Sequence, residues 1–211
     1  MFDFLLPPYT GANIIARIPA TIETNELIVV GAHYDTVYDS PGANDNGSGI
    51  TIVLAAAQAI LKLPARRFHF DFVLFDQEED DGIGSSHYAK KLLREGVRVH
   101  SMHNVDMAGW DSDGNRAMDI EIPTAELAVL YERYAEELNI PLQRVRYQSS
   151  DHLAFRRLGI DSVCLSESFS SGDYTPHRHR NSDTYQTVDF DYLTRSGKLL
   201  SRVLMHLATA P

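Results

Sequence analysis

Cysteine is nearly absent from the sequence, since Cys164 is its one example among 211 residues. The chain therefore cannot form an intramolecular disulfide, and it needs no oxidising compartment for its stability. No apolar run approaches the roughly 20 residues that a membrane-spanning helix requires, so we expect no membrane partner. Residues 1–8 lack the basic and long apolar regions of a signal peptide. The compartment is thus left open, either cytoplasmic or exported after removal of a leader.

Positive charge is also scarce. The 19 Lys and Arg residues stand against 29 Asp and Glu residues, which gives a formal net charge of −10. Proteins that bind nucleic acid usually carry Lys and Arg clustered on one face, whereas the basic runs here are short, such as Arg178-His179-Arg180. The sequence therefore argues against a nucleic-acid partner.

What the sequence does contain is the composition of an ordinary globular protein, with 44% hydrophobic and 23% charged residues. A chain of 211 residues fits one large domain with a substantial core. No repeat, low-complexity tract or long Gly/Ser linker marks a boundary. We therefore predict a single catalytic domain over residues 1–211.

Strand-like apolar runs alternate with helical patterns along the chain. The predicted strands cover residues 14–18, 27–32, 68–75, 97–105, 118–122 and 162–165. Apolar residues at i, i+3, i+4 and i+7 predict helices over residues 50–61, 127–138 and 200–207, with Thr124 as an N-cap of the second. This alternation predicts an α/β fold, in which a central twisted, mostly parallel mixed sheet carries helices on both faces.

Charged and imidazole side chains follow three of the predicted strands. His33 and Asp35 end one strand, Glu78 and Glu79 follow the next, and Asp106 ends the third. Ligands of such folds gather at the carboxyl ends of the strands, and crowded carboxylates repel one another unless a cation lies between them. Histidine beside carboxylates suits zinc. Because Asp35 is two residues from His33, it can share a face with His33 and hold the imidazole from behind.

Six short segments stand in a recognisable order and spacing. They are Gly31-Ala32-His33-Tyr34-Asp35-Thr36, Gly42-Ala43-Asn44-Asp45-Asn46-Gly47-Ser48-Gly49, Phe75-Asp76-Gln77-Glu78-Glu79 with Gly84-Ser85, Asn104-Val105-Asp106-Met107-Ala108-Gly109, Ser150-Asp151-His152, and His179-Arg180-Asn181-Ser182-Asp183-Thr184. Together they resemble the co-catalytic zinc exopeptidases, the family that includes the bacterial leucine aminopeptidases and aminopeptidase Y. The resemblance runs from about Gly11 to the C-terminus. It implies a metal-dependent aminopeptidase whose substrates are peptides or amino-acid amides.

The resemblance also implies a set of metal ligands. His33 and Asp106 would bind one of two divalent metal ions, for which zinc is expected. Glu79 and His179 would bind the other, and Asp45 would bridge both. Two metals a few ångströms apart can together hold a water and a substrate carbonyl.

Further roles carried over from the family concern residues near the metals. Glu78 would act as the general base, which takes a proton from water and hands it to the leaving amine; the alternative is an acidic surface turn over residues 78–81. Tyr147 would donate a hydrogen bond to the oxyanion, although a structural tyrosine fits nearly as well. Asp183 would support the ligands from outside. The peptide bond between Asp45 and Asn46 would be cis.

The segment 176–180 offers two candidates for the last ligand. If it is extended, His177 and His179 lie on the same face and either could reach a metal. The family places the ligand four residues before an Asp-Thr pair, and Asp183-Thr184 assigns that position to His179. His177 would then be a rim residue that can touch substrate.

Other functions remain open at this stage. Relatives that cyclise N-terminal glutamine use one zinc and a tryptophan-containing segment after the acidic pair, but Trp110, the single tryptophan, lies elsewhere. Non-catalytic relatives have lost ligands, whereas every ligand position is filled here. Carboxypeptidase relatives share the same metal set, so the sequence does not decide between the two ends of a peptide. Relatives commonly carry an additional N-terminal segment, and a surface left open by its absence could be covered in a homodimer.

Overall fold

In the computed structural model, which describes residues 2–6, 9–147 and 150–210, eight strands pair in one sheet. Their order across the sheet is β1-β2-β4-β3-β5-β8-β6-β7. The strands are β1 (Phe2–Leu6), β2 (Tyr9–Ile18), β3 (Glu26–His33), β4 (His69–Phe75), β5 (Arg98–Val105), β6 (Met118–Glu121), β7 (Leu142–Val145) and β8 (Ser162–Glu167). All six strands predicted from the sequence are among them.

The centre of the sheet is parallel. Strands β4, β3, β5 and β8 run in one direction, and β6 pairs in parallel with β7. The pairs β1–β2, β2–β4 and β6–β8 are antiparallel. The prediction of a mostly parallel mixed sheet is therefore confirmed, with the antiparallel pairs toward its two sides.

Five helices cover the sheet: α1 (Gly47–Leu61), α2 (Ile83–Arg94), α3 (Ala125–Glu137), α4 (His152–Arg156) and α5 (Phe190–Thr209). Buried side chains of α1, α3 and α5 form one apolar core with the sheet, and those of α2 and α4 form a second core. Because helices cover both faces of a parallel sheet, an apolar core on each face is the expected arrangement. Within the described residues, none of the helices combines the length and apolarity needed to cross a membrane.

The three predicted helices all begin earlier in the structure than the sequence pattern indicates, and α2 and α4 are helices that the pattern did not reveal. Helix α5 begins at Phe190, where the Asp189 carboxylate accepts hydrogen bonds from two backbone N–H groups of the first turn. Thr124 precedes α3 as expected, but its side chain caps no described N–H group. Helix α2 buries few large apolar side chains, chiefly Tyr88 and Leu92. Its periodic signal is therefore weak.

Candidate metal centre

The candidate site lies where three neighbouring parallel strands end. Strand β3 ends at His33 between β4 and β5, which end at Phe75 and Val105. The residues that follow β4 and β5 therefore reach the same edge of the sheet as His33. The sequence prediction that this edge collects imidazole and carboxylate groups is confirmed.

Asp45 occupies the middle of the cluster. Its Oδ1 lies 3.3 Å from His33 Nε2, and its Oδ2 lies 3.2 Å from His179 Nε2. The two oxygens of one carboxylate thus face two different imidazoles. This is the arrangement needed for one carboxylate to bridge two cations.

Each imidazole also faces a second carboxylate. His33 Nε2 lies 3.4 Å from Asp106 Oδ1, and His179 Nε2 lies 3.0 Å from Glu79 Oε2. The ligand atoms of His33, Asp45 and Asp106 lie within 4.8 Å of one another, and so do those of Asp45, Glu79 and His179. The structure therefore brings together all five residues proposed as ligands, in two groups that share Asp45.

The loop that carries Asp45 is fixed by two buried carboxylates. Asp183 accepts the backbone N–H groups of Asn44 and Asp45 at 2.9 and 3.0 Å. Glu167, at the end of β8, accepts a hydrogen bond from the Asn44 side chain at 2.9 Å. The Asp45-Asn46 peptide bond is cis, as predicted from the resemblance. The Asp45 carboxylate is consequently held from behind by residues far away in sequence.

Asn46 attaches the same loop to β5 and to α1. Its side chain donates to the Val105 carbonyl and accepts from the Gly49 backbone N–H, both at 2.9 Å. A Cβ atom on Gly49 would lie 2.6 Å from the Val105 carbonyl oxygen, a distance that side chains do not tolerate. Glycine at this position lets the first turn of α1 approach the end of β5. This close contact brings the loop near Asp106, the residue that directly follows β5.

Asp35 plays a different part from the one expected. Its carboxylate accepts the backbone N–H groups of Glu78 and Glu79 at 3.0 and 3.1 Å. The Asp35 carboxylate lies 3.6 Å from His33 Nδ1, whereas its backbone carbonyl oxygen lies 3.0 Å from that nitrogen. The backbone carbonyl holds the imidazole, and the carboxylate positions the two glutamates.

The contact with the Asp35 carbonyl assigns the tautomer of His33. A carbonyl oxygen can only accept a hydrogen bond, so Nδ1 carries the proton. In the neutral form of the imidazole, which is the form that binds a metal, the lone pair lies on Nε2 and faces Asp45 and Asp106. This is the orientation in which histidine ligands are usually held.

The pKa values of the side chains reflect both burial and the crowding of negative charge at the site. Burial and the charge of Asp106 raise the pKa of Glu78 to about 9, and burial and Asp45 raise the pKa of Glu79 to about 7. Burial lowers the pKa of His33, but the charge of Asp106 and the contacts with Asp106, Asp35 and Asp45 together outweigh it, and the net pKa lies well above the usual value. The cluster therefore favours positive charge at its centre.

The donors fit a divalent metal. His33 Nε2, Asp45 Oδ2 and Asp106 Oδ1 are buried and have no hydrogen-bond partner within the described part of the chain. Buried polar atoms without partners are unusual, and metal coordination is one way to satisfy them. Imidazole nitrogen with carboxylate oxygen is a ligand set that zinc accepts.

The two remaining candidates lie apart from the donor groups. Tyr147 is 45% exposed and lines a cavity together with Glu78 and Asp106. His177 contacts the Ser182 hydroxyl through Nδ1 at 3.0 Å, and its ring packs edge-on against Trp110. The segment 176–180 forms a turn, closed by the Arg180 N–H on the His177 carbonyl. The assumption that it is extended is therefore wrong, and the two histidines point to different places.

Sequence reasoning missed Arg178 and Glu121. Arg178 Nε lies 3.6 Å from Asp45 Oδ2, and the residue lines two cavities beside the cluster. Glu121 ends β6 and lines the cavity that contains Tyr147. No motif marks either residue, because the first stands beside a ligand in a basic run and the second ends an otherwise ordinary strand.

The sequence is similar to known peptidases over most of its length. The sequence pattern of peptidase family M28 matches residues 13–204. A probable leucine aminopeptidase of Trichophyton verrucosum (strain HKI 0517) is 30% identical over 96% of this chain and 59% of its own length. Aminopeptidase YwaD of Bacillus subtilis (strain 168) is 31% identical over 91% of this chain and 44% of its own length.

A solved structure shows the same fold. BSAP, a zinc aminopeptidase from Bacillus subtilis, superimposes with a TM-score of 0.88 at 27% identity, over 96% of this chain and 51% of that one. The chain spans about half the length of the curated relatives that it matches.

Proposed function

Because the chain belongs to peptidase family M28, we propose that it is a metal-dependent aminopeptidase, which hydrolyses the N-terminal residue from peptides or amino-acid amides. The observation that carries this proposal is the position of Asp45 between two imidazoles, each of which faces a second carboxylate. The aminopeptidase names of the relatives support it, as does the zinc of BSAP. We also propose that, within this family, the chain groups with the bacterial leucine aminopeptidases and aminopeptidase Y.

Five side chains hold the metals in this proposal. His33 and Asp106 would hold one zinc ion, Glu79 and His179 would hold the other, and Asp45 would contribute to both. Two zinc ions in such a site supply Lewis acidity, which lowers the pKa of water and polarises a carbonyl group. The pairing follows the two groups of donor atoms that meet at Asp45.

Glu78 is proposed as the general base. Its Oε2 lies 3.9 Å from His33 Nε2, and it lines two cavities beside the cluster. A substrate held in either cavity would lie next to Glu78. The carboxylate can therefore accept a proton from the attacking water and donate it to the leaving amine. Asp35, through its bonds to the Glu78 and Glu79 N–H groups, positions this base.

Tyr147 is proposed to stabilise the oxyanion. Its position in the cavity shared with Glu78 and Asp106 supports this role. A hydroxyl donor aimed at developing negative charge accelerates acyl transfer by preferring the transition state.

The activity is tested with metal-loaded protein and a substrate panel. We expect hydrolysis of aminoacyl p-nitroanilides and of peptides with a free N-terminus, and none of N-acetylated peptides. Elemental analysis should give two zinc ions per chain, and a chelator should remove both the metal and the activity until zinc is restored. Release of C-terminal residues would indicate a carboxypeptidase, and cyclisation of an N-terminal glutamine would indicate the cyclase. A fully loaded protein without turnover would indicate a binding domain.

The Asp183→Asn variant tests the support of the bridging carboxylate. An asparagine turns one acceptor oxygen into an NH₂ donor, which must face the N–H of Asn44 or Asp45. We expect zinc affinity to fall by about 10- to 100-fold, the usual effect of removing an outer hydrogen-bond partner. Competition with a chromophoric chelator measures it. Asp191→Asn, at an exposed position of α5, makes the same chemical change away from the site. Equal zinc affinity in both variants would contradict the role of Asp183.

A further inference from the structure

One cavity of the protein is built by helices rather than by the strand ends that carry the metal centre. It has a volume of about 460 Å³ and is lined by residues of α1 and α5 together with Leu138, which directly follows α3. None of its described lining residues belongs to the proposed metal centre or neighbours one of its ligands in sequence. Cavities of this size hold small ligands, and such sites are mostly apolar with a few placed polar groups.

The accessible lining of this helical cavity is mostly apolar. Ile52 and Leu193 are buried side chains among the lining residues, and Ala55 is an exposed one. Helix α1 carries no charged residue over its whole length, and Leu54, next to Ala55, is 51% exposed. An apolar surface of this kind on a chain rich in charge indicates that apolar groups bind there.

A glycine inside α5 keeps the cavity open. Gly197 lies in the interior of a 20-residue helix, where glycine is less favourable than alanine. A Cβ atom at this position would lie 3.7 Å from Ile52 Cγ1, which is an ordinary van der Waals contact. The packing of α1 against α5 therefore does not require glycine. A larger side chain at position 197 would instead occupy the space that Gly197 lines.

A smaller, more polar cavity of about 220 Å³ shares part of this lining. Leu138, Thr194 and Lys198 line both cavities, and the smaller one adds Arg195 and Asp191. The apolar lining and the polar groups thus meet at Lys198. A ligand that contacts both would need an apolar part and a polar part.

Positive charge prevails where the two cavities meet. Lys198 is exposed, and among the described residues neither Lys198 nor Arg195 forms an ion pair with a carboxylate. Arg202 also lines the larger cavity but is paired with Glu137. Two cations without an acidic partner therefore stand against the one carboxylate of Asp191, on a chain whose formal net charge is −10. An anionic group is the complement of this local excess.

We propose that the two cavities together bind an anionic amphiphile of the fatty-acid type. Its alkyl chain lies against Ile52, Leu193 and Gly197, and its carboxylate lies at Lys198 and Arg195. Burial of the alkyl chain supplies most of the affinity, because each methylene group removed from water contributes. The two cations select the anionic head group over a neutral one. This site is independent of the metal centre and of the proposed peptidase activity.

The test compares two ligands of equal chain length that differ in charge. Decanoate and 1-decanol, each below its aggregation limit, are titrated into the metal-loaded protein by isothermal calorimetry. We expect one decanoate per chain, bound about three- to tenfold more tightly than the alcohol, because the cations are partly exposed to solvent. In Lys198→Met this preference should fall toward one. Lys62→Met, the same change at an exposed lysine that lines neither cavity, should keep it.

Gly197→Leu tests the apolar part. The leucine side chain would fill the cavity, so both ligands should bind about tenfold more weakly or not at all. Leucine also favours a helix more than glycine does, and the melting temperature should be retained or raised. A loss of binding with a retained melting temperature therefore reports on the cavity and not on the fold.

Four results would overturn the inference. The first is the absence of decanoate binding, and the second is equal affinity of the wild type for decanoate and decanol. The third is unchanged decanoate binding in both Lys198→Met and Gly197→Leu, since the carboxylate would then bind elsewhere, for example at the metals. The fourth is a dimer in sedimentation equilibrium that Gly197→Leu dissociates, because a second copy of the chain would then cover the cavity.

Discussion

Glu78→Gln is expected to lower kcat by at least about 10²- to 10⁴-fold while the protein keeps both metals. Glutamine has nearly the shape of glutamate but cannot accept and return a proton, and positioned general bases typically contribute a factor of this size. Elemental analysis and steady-state kinetics on the same preparation measure the two effects. The variant should also retain the fold, because the backbone N–H of Glu78, held by Asp35, is unchanged.

The neighbouring glutamate provides the matched control. Glu79 faces His179 Nε2 at 3.0 Å, so Glu79→Ala removes a proposed ligand and should reduce the metal content. The two variants would then separate catalysis from metal binding. Glu78→Gln would be inactive but loaded with metal, whereas Glu79→Ala would be depleted of metal. Near-normal turnover in Glu78→Gln would show that the roles of these glutamates are exchanged or wrongly assigned.

His179→Ala is expected to remove one metal of the two and nearly all activity. Its imidazole faces both Asp45 and Glu79, and the loss leaves those carboxylates without a nitrogen donor on that side. Two carboxylates alone make an incomplete ligand set for zinc, so the ion on that side should be lost. Zinc titration of the chelated protein gives the number of sites directly.

His177→Ala is the control within the same turn. The His177 ring packs on Trp110 and contacts Ser182, and it belongs to neither donor group. We expect this variant to keep both metals and most of its turnover. The opposite pattern in the two variants would overturn the assignment of His179 as a ligand. The assignment of the other four ligands would stand.

Much of the architecture could be predicted because its signals are local. The strand β3 combines an apolar run with an abrupt change to polar residues after Ala32, and both its existence and its end follow from that contrast. The parallel arrangement then determines which strand ends share an edge. For this reason the convergence of His33 with Asp106 could be predicted without coordinates.

Features that depend on backbone detail could not be predicted in this way. The i, i+2 rule failed for His33 and Asp35, since Asp35 lies beyond the end of β3 and turns its carboxylate to the Glu78 and Glu79 N–H groups. It failed again at the turn 176–180, where His179 has a φ of 58°. The alternation of faces holds only while the chain is extended.

The residues that line the cavity beside the site could not be predicted from the sequence either. Glu121 pairs with Cys164 of β8, Phe169 and Tyr174 follow the end of β8, and the fold brings all three to the lining of one cavity. Nothing in the spacing of these residues connects them. Their proximity is a property of the sheet order, which a sequence pattern does not specify.

The five donors at the strand ends come from segments that span residues 33 to 179. No fragment of the chain that lacks either end of this interval contains the whole set, so the ligand atoms come together only when nearly all of the sheet is assembled. Zinc binding at the proposed site would therefore be thermodynamically linked to the folding of the entire domain, and each bound ion would shift the equilibrium between folded and unfolded chain as a whole. Under the proposed function, metal supply would then set the stability of the fold as well as the rate of hydrolysis.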